Sequence, residues 1–188
     1  MEFSSSENAI PISCLTMNPA LPGVVRQIGY VVDDLDGSLD RWLQLGVGPW
    51  FVMRGIGQTV CYRGQPCTVT VSLALANTGD LQVEVIQQTC ATPSVFTEFL
   101  AATGGGFHQL AYWAEDFDAA MARLEMAGWP KVWSGGDAQG VRFAYFEPPI
   151  GATVVEITEL TDVMAGMADF VRRAALEWNG DDPIRELG

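Results

Sequence analysis

An internal repeat constrains the fold of this chain more than any other feature. The segments from Arg26 to Gly46 and from His108 to Gly128 align without a gap, so that Gln27 corresponds to Gln109. They read RQIGYVVDDLDGSLDRWLQLG and HQLAYWAEDFDAAMARLEMAG. A repeat of this kind predicts two copies of one structural module. Equivalent positions of the two copies should then face each other at a shared site.

Each copy has the pattern of a βαβββ module. In the first copy, Asp34 is a good N-cap for a helix, and Gly46 ends that helix. In the second copy, Asp116 and Gly128 have the same roles. The predicted elements of the first copy are a strand Val24–Val32, a helix Leu35–Leu45 and strands at Trp50–Arg54, Thr68–Ala76 and Leu81–Gln87. Those of the second are a strand Phe107–Ala114, a helix Phe117–Ala127 and strands near Lys131–Ser134, Val141–Phe146 and Thr153–Glu159.

The predicted fold class is α+β, with the two βαβββ modules forming a curved mixed sheet, the cup, and a C-terminal helix. The predicted divisions are an N-terminal arm (1–22), a first module (23–90), a linker with a helix at Ser94–Ala102 (91–106), a second module (107–160), and a C-terminal helix and tail (161–188). The helix at 162–178 carries an apolar stripe at helical spacing, which favours packing against the body or a second subunit. We predict a homodimer.

Composition excludes several classes of partner. The net charge is −13 with only ten Lys and Arg residues, so we expect neither nucleic-acid binding nor attachment to an anionic membrane. No apolar run approaches membrane-spanning length. The polar N-terminus lacks a signal-peptide core, and the four cysteines form no CxxC pair, although Cys61 and Cys67 could flank a hairpin. We therefore predict a cytoplasmic protein with reduced thiols.

The alternation of side chains along the first strand of each copy predicts which residues enter the cup. Bulky Ile28 and Tyr30 suit packing under the helix of the module, so Gln27 faces the cup. By the same alternation, Gln109 and Trp113 face it from the second copy. The small residue two positions after each glutamine, Gly29 or Ala111, leaves room beside it.

The last strand of each copy carries one carboxylate among apolar residues. Glu84 lies in LQVEVI and Glu156 in TVVEIT. A carboxylate in the middle of such a strand needs a cation, a hydrogen-bond network or water around it. A solvent-facing edge strand is the alternative for each. Fewer residues separate Glu84 from Glu156 than separate Gln27 from Gln109. The second copy should therefore have a shorter loop than the first.

These segments resemble the vicinal oxygen chelate superfamily, which includes glyoxalase I, methylmalonyl-CoA epimerase, extradiol dioxygenases and bleomycin-resistance proteins. The likeness covers about Val24 to Leu160 and is greatest to the glyoxalase and epimerase-like branch. It rests on IGYVVDDLDGSLDRWLQLGVGPWF and GGGFHQLAYWAEDFDAAM. Because many reactions occur on this fold, the resemblance implies the architecture more strongly than any one reaction.

The resemblance implies a metal-binding cup with four ligands. By their spacing to the helix-opening Asp residues, the first-strand ligands correspond to Gln27 and Gln109, and the last-strand ligands to Glu84 and Glu156. Family members usually have His at one or both first-strand positions. His108, the only His, is the alternative to Gln109; alternation directs it to the helix side or the mouth of the strand unless a bulge brings it into the cup.

These residues do not determine whether a metal cofactor is bound, or which metal it is. Two amides and two carboxylates suit Mg, Mn or Ca better than Zn, Ni or Cu, although the sequence does not distinguish among Mg, Mn, Zn, Ni and Co. The site could equally hold no metal, with Glu84 and Glu156 sharing a proton or acting as acid and base.

Two functions follow. The first is a glyoxalase- or epimerase-like isomerase or lyase that removes a proton next to a carbonyl of an apolar or aromatic small molecule, with Glu84 and Glu156 catalytic. The second is a metal-free protein of the same fold that sequesters a small molecule. An iron dioxygenase would need two His and is set aside. The predicted substrate contacts are Trp50, Trp113, Tyr145 and Arg142, each of which could instead be core or surface.

Overall fold

The structure, a computed structural model, describes residues 20–136, 140–148 and 153–187. Most of the predicted N-terminal arm, including Cys14, lies outside these residues. The elements in chain order are β1 (Gln27–Val31), α1 (Leu35–Gln44), β2 (Trp50–Tyr62), β3 (Gln65–Thr78), β4 (Leu81–Gln88), α2 (Val95–Thr103), β5 (Gly106–Ala114), α3 (Phe117–Met126), β6 (Lys131–Gly135), β7 (Phe143–Phe146), β8 (Val154–Glu159), α4 (Asp162–Glu177) and β9 (Ile184–Glu186). The two predicted βαβββ modules, the linker helix and the C-terminal helix are all confirmed.

Side-chain caps start the helices where the sequence predicts. The Asp34 carboxylate accepts a hydrogen bond from the Gly37 amide at 3.1 Å, and Asp116 accepts one from Ala119 at 2.9 Å. These bonds satisfy backbone donors that the first turn of a helix leaves without a partner. The two repeats therefore enter their helices in the same way.

One mixed sheet joins both modules in the order β3-β4-β1-β5-β8-β7-β6-β2-β9, and β2 also pairs with β3. The first eight strands of this order thus form a closed ring. The modules meet within one chain through the antiparallel β1–β5 and β2–β6 pairs. The predicted cup is the interior of this ring.

The first module differs from the prediction in its long hairpin. Strands β2 and β3 are 13 and 14 residues long, where the sequence predicted a loop between two shorter strands. Arg63 and Gly64 form the turn with positive φ angles of 45° and 83°, the conformation that two-residue hairpins favour. Pairing along the whole hairpin holds its polar middle in strand conformation. The short β9, which pairs with β2, was also not predicted.

Apolar clusters lie on both sides of the sheet. Outside the ring, α1 packs over Ile28 and Tyr30, and α3 packs over Leu110 and Tyr112, as alternation predicts. Inside the ring, α2 places Val95 and Phe96 at one end of the long hairpin. At the other end of the hairpin, Val171 of α4 packs on inward-facing residues of β2 and β3. The interior is therefore covered by one helix at each end.

The cysteines Cys61, Cys67 and Cys90 are free thiols, so the possible hairpin disulfide does not form. In the part of the chain that the structure describes, no helix has both the length and the apolar character needed to span a membrane.

Candidate active site

The Gln109 carboxamide is the centre of the candidate site. Its side chain lies inside the ring with 0% exposure. The Nε2 group donates to the Tyr145 hydroxyl at 3.2 Å and to one oxygen each of Glu84 and Glu156, both at 3.4 Å. One amide therefore links the two carboxylates that the sequence singled out.

The repeat explains why the two glutamates meet. Glu84 on β4 pairs with Gly29 on β1, and Glu156 on β8 pairs with Ala111 on β5. Gly29 and Ala111 are equivalent positions of the repeat, and both are small. Two glutamates in equivalent strands therefore lie beside a small residue, with Gln109 between them.

The two carboxylates differ in their hydrogen bonds. The Thr158 hydroxyl donates to Glu156 at 3.0 Å, and the Tyr145 hydroxyl, directly across the β7–β8 pair, also interacts with it. Glu84 has the Gln109 amide as its hydrogen-bond donor among the described residues. Glu156 is thus better stabilised as a carboxylate than Glu84.

Burial raises the pKa of both glutamates above the ordinary range. The pKa of Glu84 is raised first by burial and then by the negative charge of Glu156. Burial also raises the pKa of Glu156, whereas the hydrogen bonds from Thr158, Gln109 and Tyr145 lower it. The pKa of Tyr145 is raised by burial and by both carboxylates, which keeps its hydroxyl protonated. Near neutral pH the pair therefore favours holding a proton.

His108 lies inside the ring, so of the placements that the sequence left open, the structure has the one that needs a bulge. Strand β5 pairs Gln109 with Gly29 but Phe107 with Tyr30, so His108 is an extra residue in a β-bulge. The bulge directs both His108 and Gln109 inward. The His108 Nδ1 lies 2.5 Å from the Gln109 Oε1. Burial lowers the pKa of His108, which favours the neutral ring.

His108 also contacts aromatic residues of α2 and β7. Its ring centroid lies 4.8 Å from that of Phe99, 5.9 Å from that of Phe96 and 5.9 Å from that of Tyr145. The ring therefore fixes the orientation of the Gln109 amide: Oε1 faces the imidazole, and Nε2 faces the carboxylates.

Two contiguous cavities open beside the glutamates. The larger measures about 370 Å³ and the smaller about 110 Å³, and both are bordered by Glu84, Glu156, Gln58, Leu73 and Phe143. The larger cavity extends to α4, where Val163, Met164 and Met167 form an apolar rim. We call the larger space the ligand cavity.

Gln27 lines the ligand cavity but does not contact Gln109. Its Nε2 donates to the Gln82 Oε1 at 2.8 Å, two pairs along the strands from Glu84. Gln82, like Thr158 and the methionines of α4, was missed in the sequence. Gln82 could have been found, because it has the same strand alternation as Glu84.

The predicted ligands do not fit a divalent metal as they are arranged. Gln109 directs an N–H group, not an oxygen, at the carboxylates, and the Gln27 amide is bonded to Gln82. Among the described residues, no group of three or more His, Cys, Asp or Glu could hold a metal ion. The amide donor occupies the position between the carboxylates where a cation would be needed.

Of the predicted substrate contacts, Tyr145 lies at the site and Trp50 does not. Trp50 is fully buried under α1, and its Nε1 donates to the Val47 carbonyl at 3.0 Å. The assignment of Trp50 was wrong because its neighbours Phe51 and Met53, not Trp50, face the interior.

Trp113 and Arg142 are also away from the ligand cavity. Trp113 lines a separate groove with Arg26. Arg142 lies outside the ring, in ion pairs with Glu159 at 2.8 Å and Asp118 at 2.9 Å. The charge of Arg142 is therefore matched by surface carboxylates, so neither residue supplies a ligand contact in the cavity.

Comparison with known proteins identifies the family. Residues 26–145 match the model of the Glyoxalase/Bleomycin resistance protein/Dioxygenase superfamily. This match spans more than half of the chain, and the chain belongs to that superfamily. No curated protein sequence matched the chain.

Solved structures with the same fold include methylmalonyl-CoA epimerases. The enzyme from Mycobacterium tuberculosis has 21% identity and a TM-score of 0.52, over 74% of this chain and 89% of its own. A Streptomyces coelicolor epimerase variant in complex with 2-nitronate-propionyl-CoA has 18% identity and a TM-score of 0.54, over 75% and 96%. Hypothetical protein BH1468 from Bacillus halodurans has 16% identity and a TM-score of 0.54, over 74% and 95%. At these identities the likeness establishes the fold.

Proposed function

We propose that this protein is an isomerase of the epimerase type that moves a proton on the carbon next to a carbonyl group. The observation that carries the proposal is the single Gln109 amide that donates to both Glu84 and Glu156 at the wall of the ligand cavity. Two carboxylates with raised pKa values can hold one proton between them, which supplies a base and an acid in one site.

In the proposed reaction the two glutamates carry out both proton transfers. An ionised glutamate removes the proton: the C–H bond breaks, an O–H bond forms on the carboxylate, and the electron pair moves to the carbonyl oxygen as an enolate. The second, protonated glutamate returns a proton to the same carbon from its other side. The Gln109 amide donates to both glutamates, so it stabilises whichever carboxylate is ionised. The Tyr145 hydroxyl, which borders the smaller cavity, is the proposed donor to the enolate oxygen. The same first step would serve a lyase if a group were expelled instead.

The lining of the ligand cavity favours a neutral, apolar substrate. Its volume of about 370 Å³ suits a small molecule, and Met53, Leu73, Leu75 and Phe143 line it together with α4. Among the described residues no Arg, Lys or His lines this cavity, whereas two carboxylates do. The methylmalonyl group named for the epimerases carries a carboxylate, which this cavity would repel. We therefore propose an apolar or aromatic carbonyl compound.

The proposal is tested by solvent deuterium exchange with neutral probes. We would incubate the protein in D2O with 2-methyl-1-tetralone and 2-phenylpropanal and follow the α-proton by NMR. Exchange above the buffer rate should fall at least 100-fold in Glu84→Gln and in Glu156→Gln. It should persist in Glu125→Gln, because Glu125 lies on the surface in an ion pair with Lys131.

Each other outcome contradicts part of the proposal. Exchange that persists in both cavity variants would exclude the glutamates as acid and base. Probes that bind without exchanging would favour the alternative, a binding protein that sequesters apolar molecules. Probes that do not bind would exclude this substrate class. Stoichiometric divalent metal in the purified protein, lost in both variants, would contradict the metal-free arrangement. The homodimer and the cytoplasmic location stay predictions.

A further inference from the structure

A second groove lies apart from the ligand cavity, where β5 ends. It measures about 430 Å³ and lies between the segment before β1, the end of β5 and α3. It shares no lining residue with the ligand cavity, although Arg26 directly precedes Gln27. We call it the arginine groove, after Arg26 and Arg123, which line it.

Two buried hydrogen-bond donors in the arginine groove have no partner among the described residues. The Trp113 Nε1 and the Arg123 Nε are both inaccessible to solvent and bond to no described residue. A buried donor without an acceptor costs about 1–3 kcal/mol, and most buried polar groups of native proteins have a partner. The pair points to a ligand that brings acceptor atoms into this groove and that both donors reach by turning toward it.

Arg26 adds a positive charge to these donors. Its guanidinium lies 4.9 Å from the centroid of the Trp113 ring, in a cation–π contact. Neither Arg26 nor Arg123 forms an ion pair with a described residue, whereas Arg54, Arg63 and Arg142 each pair with two carboxylates. Both arginines that line the groove therefore lack an acidic partner among the described residues.

The acidic residues of the groove do not take up these donors. Asp116 accepts a hydrogen bond from the Ala119 amide at 2.9 Å as the N-cap of α3. Glu115 also lines the groove, but it is exposed and forms no ion pair with either arginine. Apart from the exposed Glu115, the groups of the groove that have no partner among the described residues are donors and cations, which suit an anion rather than a metal ion.

We propose that the arginine groove binds the anionic group of a small molecule, a carboxylate or a phosphate. The guanidinium groups of Arg26 and Arg123 would hold the charge, and the Trp113 indole N–H would donate to one oxygen. Arginine suits both kinds of anion because its planar donors match their oxygens. This site is independent of the proton-transfer chemistry proposed above.

The test follows the Trp113 indole N–H by NMR on the full chain. The absence of one of six indole signals in Trp113→Phe identifies it. Inorganic phosphate and acetate are titrated separately against sodium chloride of equal ionic strength. We expect one of the two anions to shift this signal saturably, which also tells whether the groove takes a phosphate or a carboxylate. Arg26→Gln and Arg123→Gln should each weaken binding at least tenfold.

Arg41→Gln is the matched control, because Arg41 is exposed on α1 and forms no ion pair with a described residue. Binding should be unchanged in this variant and largely retained in Arg26→Lys, which keeps the charge. If Arg123→Gln fails to fold, Arg26→Gln and Arg26→Lys decide the result. No saturable shift, an equal shift with chloride, or equal affinity in the Arg26 variants would overturn the proposal.

Discussion

The Gln109 carboxamide occupies the space that Gly29 leaves by having no side chain. The two residues are paired across β1 and β5, and a Cβ atom at position 29 would overlap with the Nε2 and Cδ atoms of Gln109. The glycine of the first repeat thus permits the amide of the second repeat to reach both glutamates. The site depends on both copies and cannot be formed by one module alone.

Gly29→Ala should therefore displace the Gln109 amide from between the glutamates. We expect a loss of about 1–3 kcal/mol in the free energy of unfolding, because the added methyl group forces a buried side chain to move. Urea denaturation measures it. Gly57→Ala is the control, since a Cβ at Gly57 meets nothing within 4 Å. Equal effects of the two substitutions would contradict the close approach of Gly29 and Gln109.

The raised pKa values of Glu84 and Glu156 predict that the pair destabilises the fold as pH rises. The folded state holds protons that the unfolded state releases above the ordinary glutamate pKa, so stability falls from about pH 5 upward through the raised pKa values. Glu84→Gln mimics protonated Glu84, so it removes the contribution of Glu84 to this loss of stability. Its stability relative to the wild type should rise between pH 5 and pH 8 by more than about 1.4 kcal/mol, the equivalent of one pKa unit.

Urea denaturation at several pH values measures this difference. The control is Glu125→Gln, whose difference from the wild type should stay constant over the same range. A Glu84→Gln difference that does not change with pH would mean that Glu84 ionises in the folded protein as it does in the unfolded chain.

The lowered pKa of His108 predicts that the folded state loses stability as pH falls, whereas the raised pKa values of the glutamates predict a loss as pH rises. Burial keeps the imidazole neutral in the folded state, while the unfolded chain binds a proton below about pH 6.5. The wild type should therefore lose stability relative to His108→Phe as pH falls from 7 to 5. The phenyl ring keeps the contacts with Phe96 and Phe99 and does not titrate. Chemical denaturation of the two proteins at each pH gives the result; parallel curves would place His108 in contact with water.

The α4 rim predicts where an apolar ligand is held. Met167 borders the ligand cavity with 38% exposure, so Met167→Glu would place a charge at the mouth of an apolar space. We expect the affinity for the neutral fluorescent probe N-phenyl-1-naphthylamine to fall at least tenfold in a fluorescence titration. Met126→Glu on α3, where Met126 is 81% exposed and far from the cavity lining, should bind as the wild type does. An equal loss of affinity in the two variants would mean that the probe binds outside the ligand cavity.

The internal repeat made the fold and the glutamate pair predictable. The ungapped alignment placed both βαβββ modules, and alternation correctly directed Gln27 and Gln109 inward and Ile28 and Tyr30 toward α1. These features depend on regular strands and on helix caps, which local sequence determines.

The sequence was less informative wherever regular alternation or local pattern is interrupted. The bulge at His108 depends on how β5 meets β1, and no residue of β5 alone requires it. Trp50 was assigned to the site, but its neighbour Phe51 faces the interior instead. The ion pairs of Arg142 join segments that are distant in sequence. The position of α4 over the ligand cavity is likewise a tertiary contact.

The central claim, that Glu84 and Glu156 share a proton in the folded protein, can be measured directly by NMR titration of protein labelled with ¹³C at the glutamate carboxyl carbons. Comparison with Glu84→Gln and Glu156→Gln assigns the two signals. We predict that the pair takes up a proton well above the ordinary glutamate pKa, and that Glu156→Gln lowers the pKa of Glu84 by removing the neighbouring negative charge. Two carboxylates that stay ionised from pH 8 down to pH 5 would contradict the account.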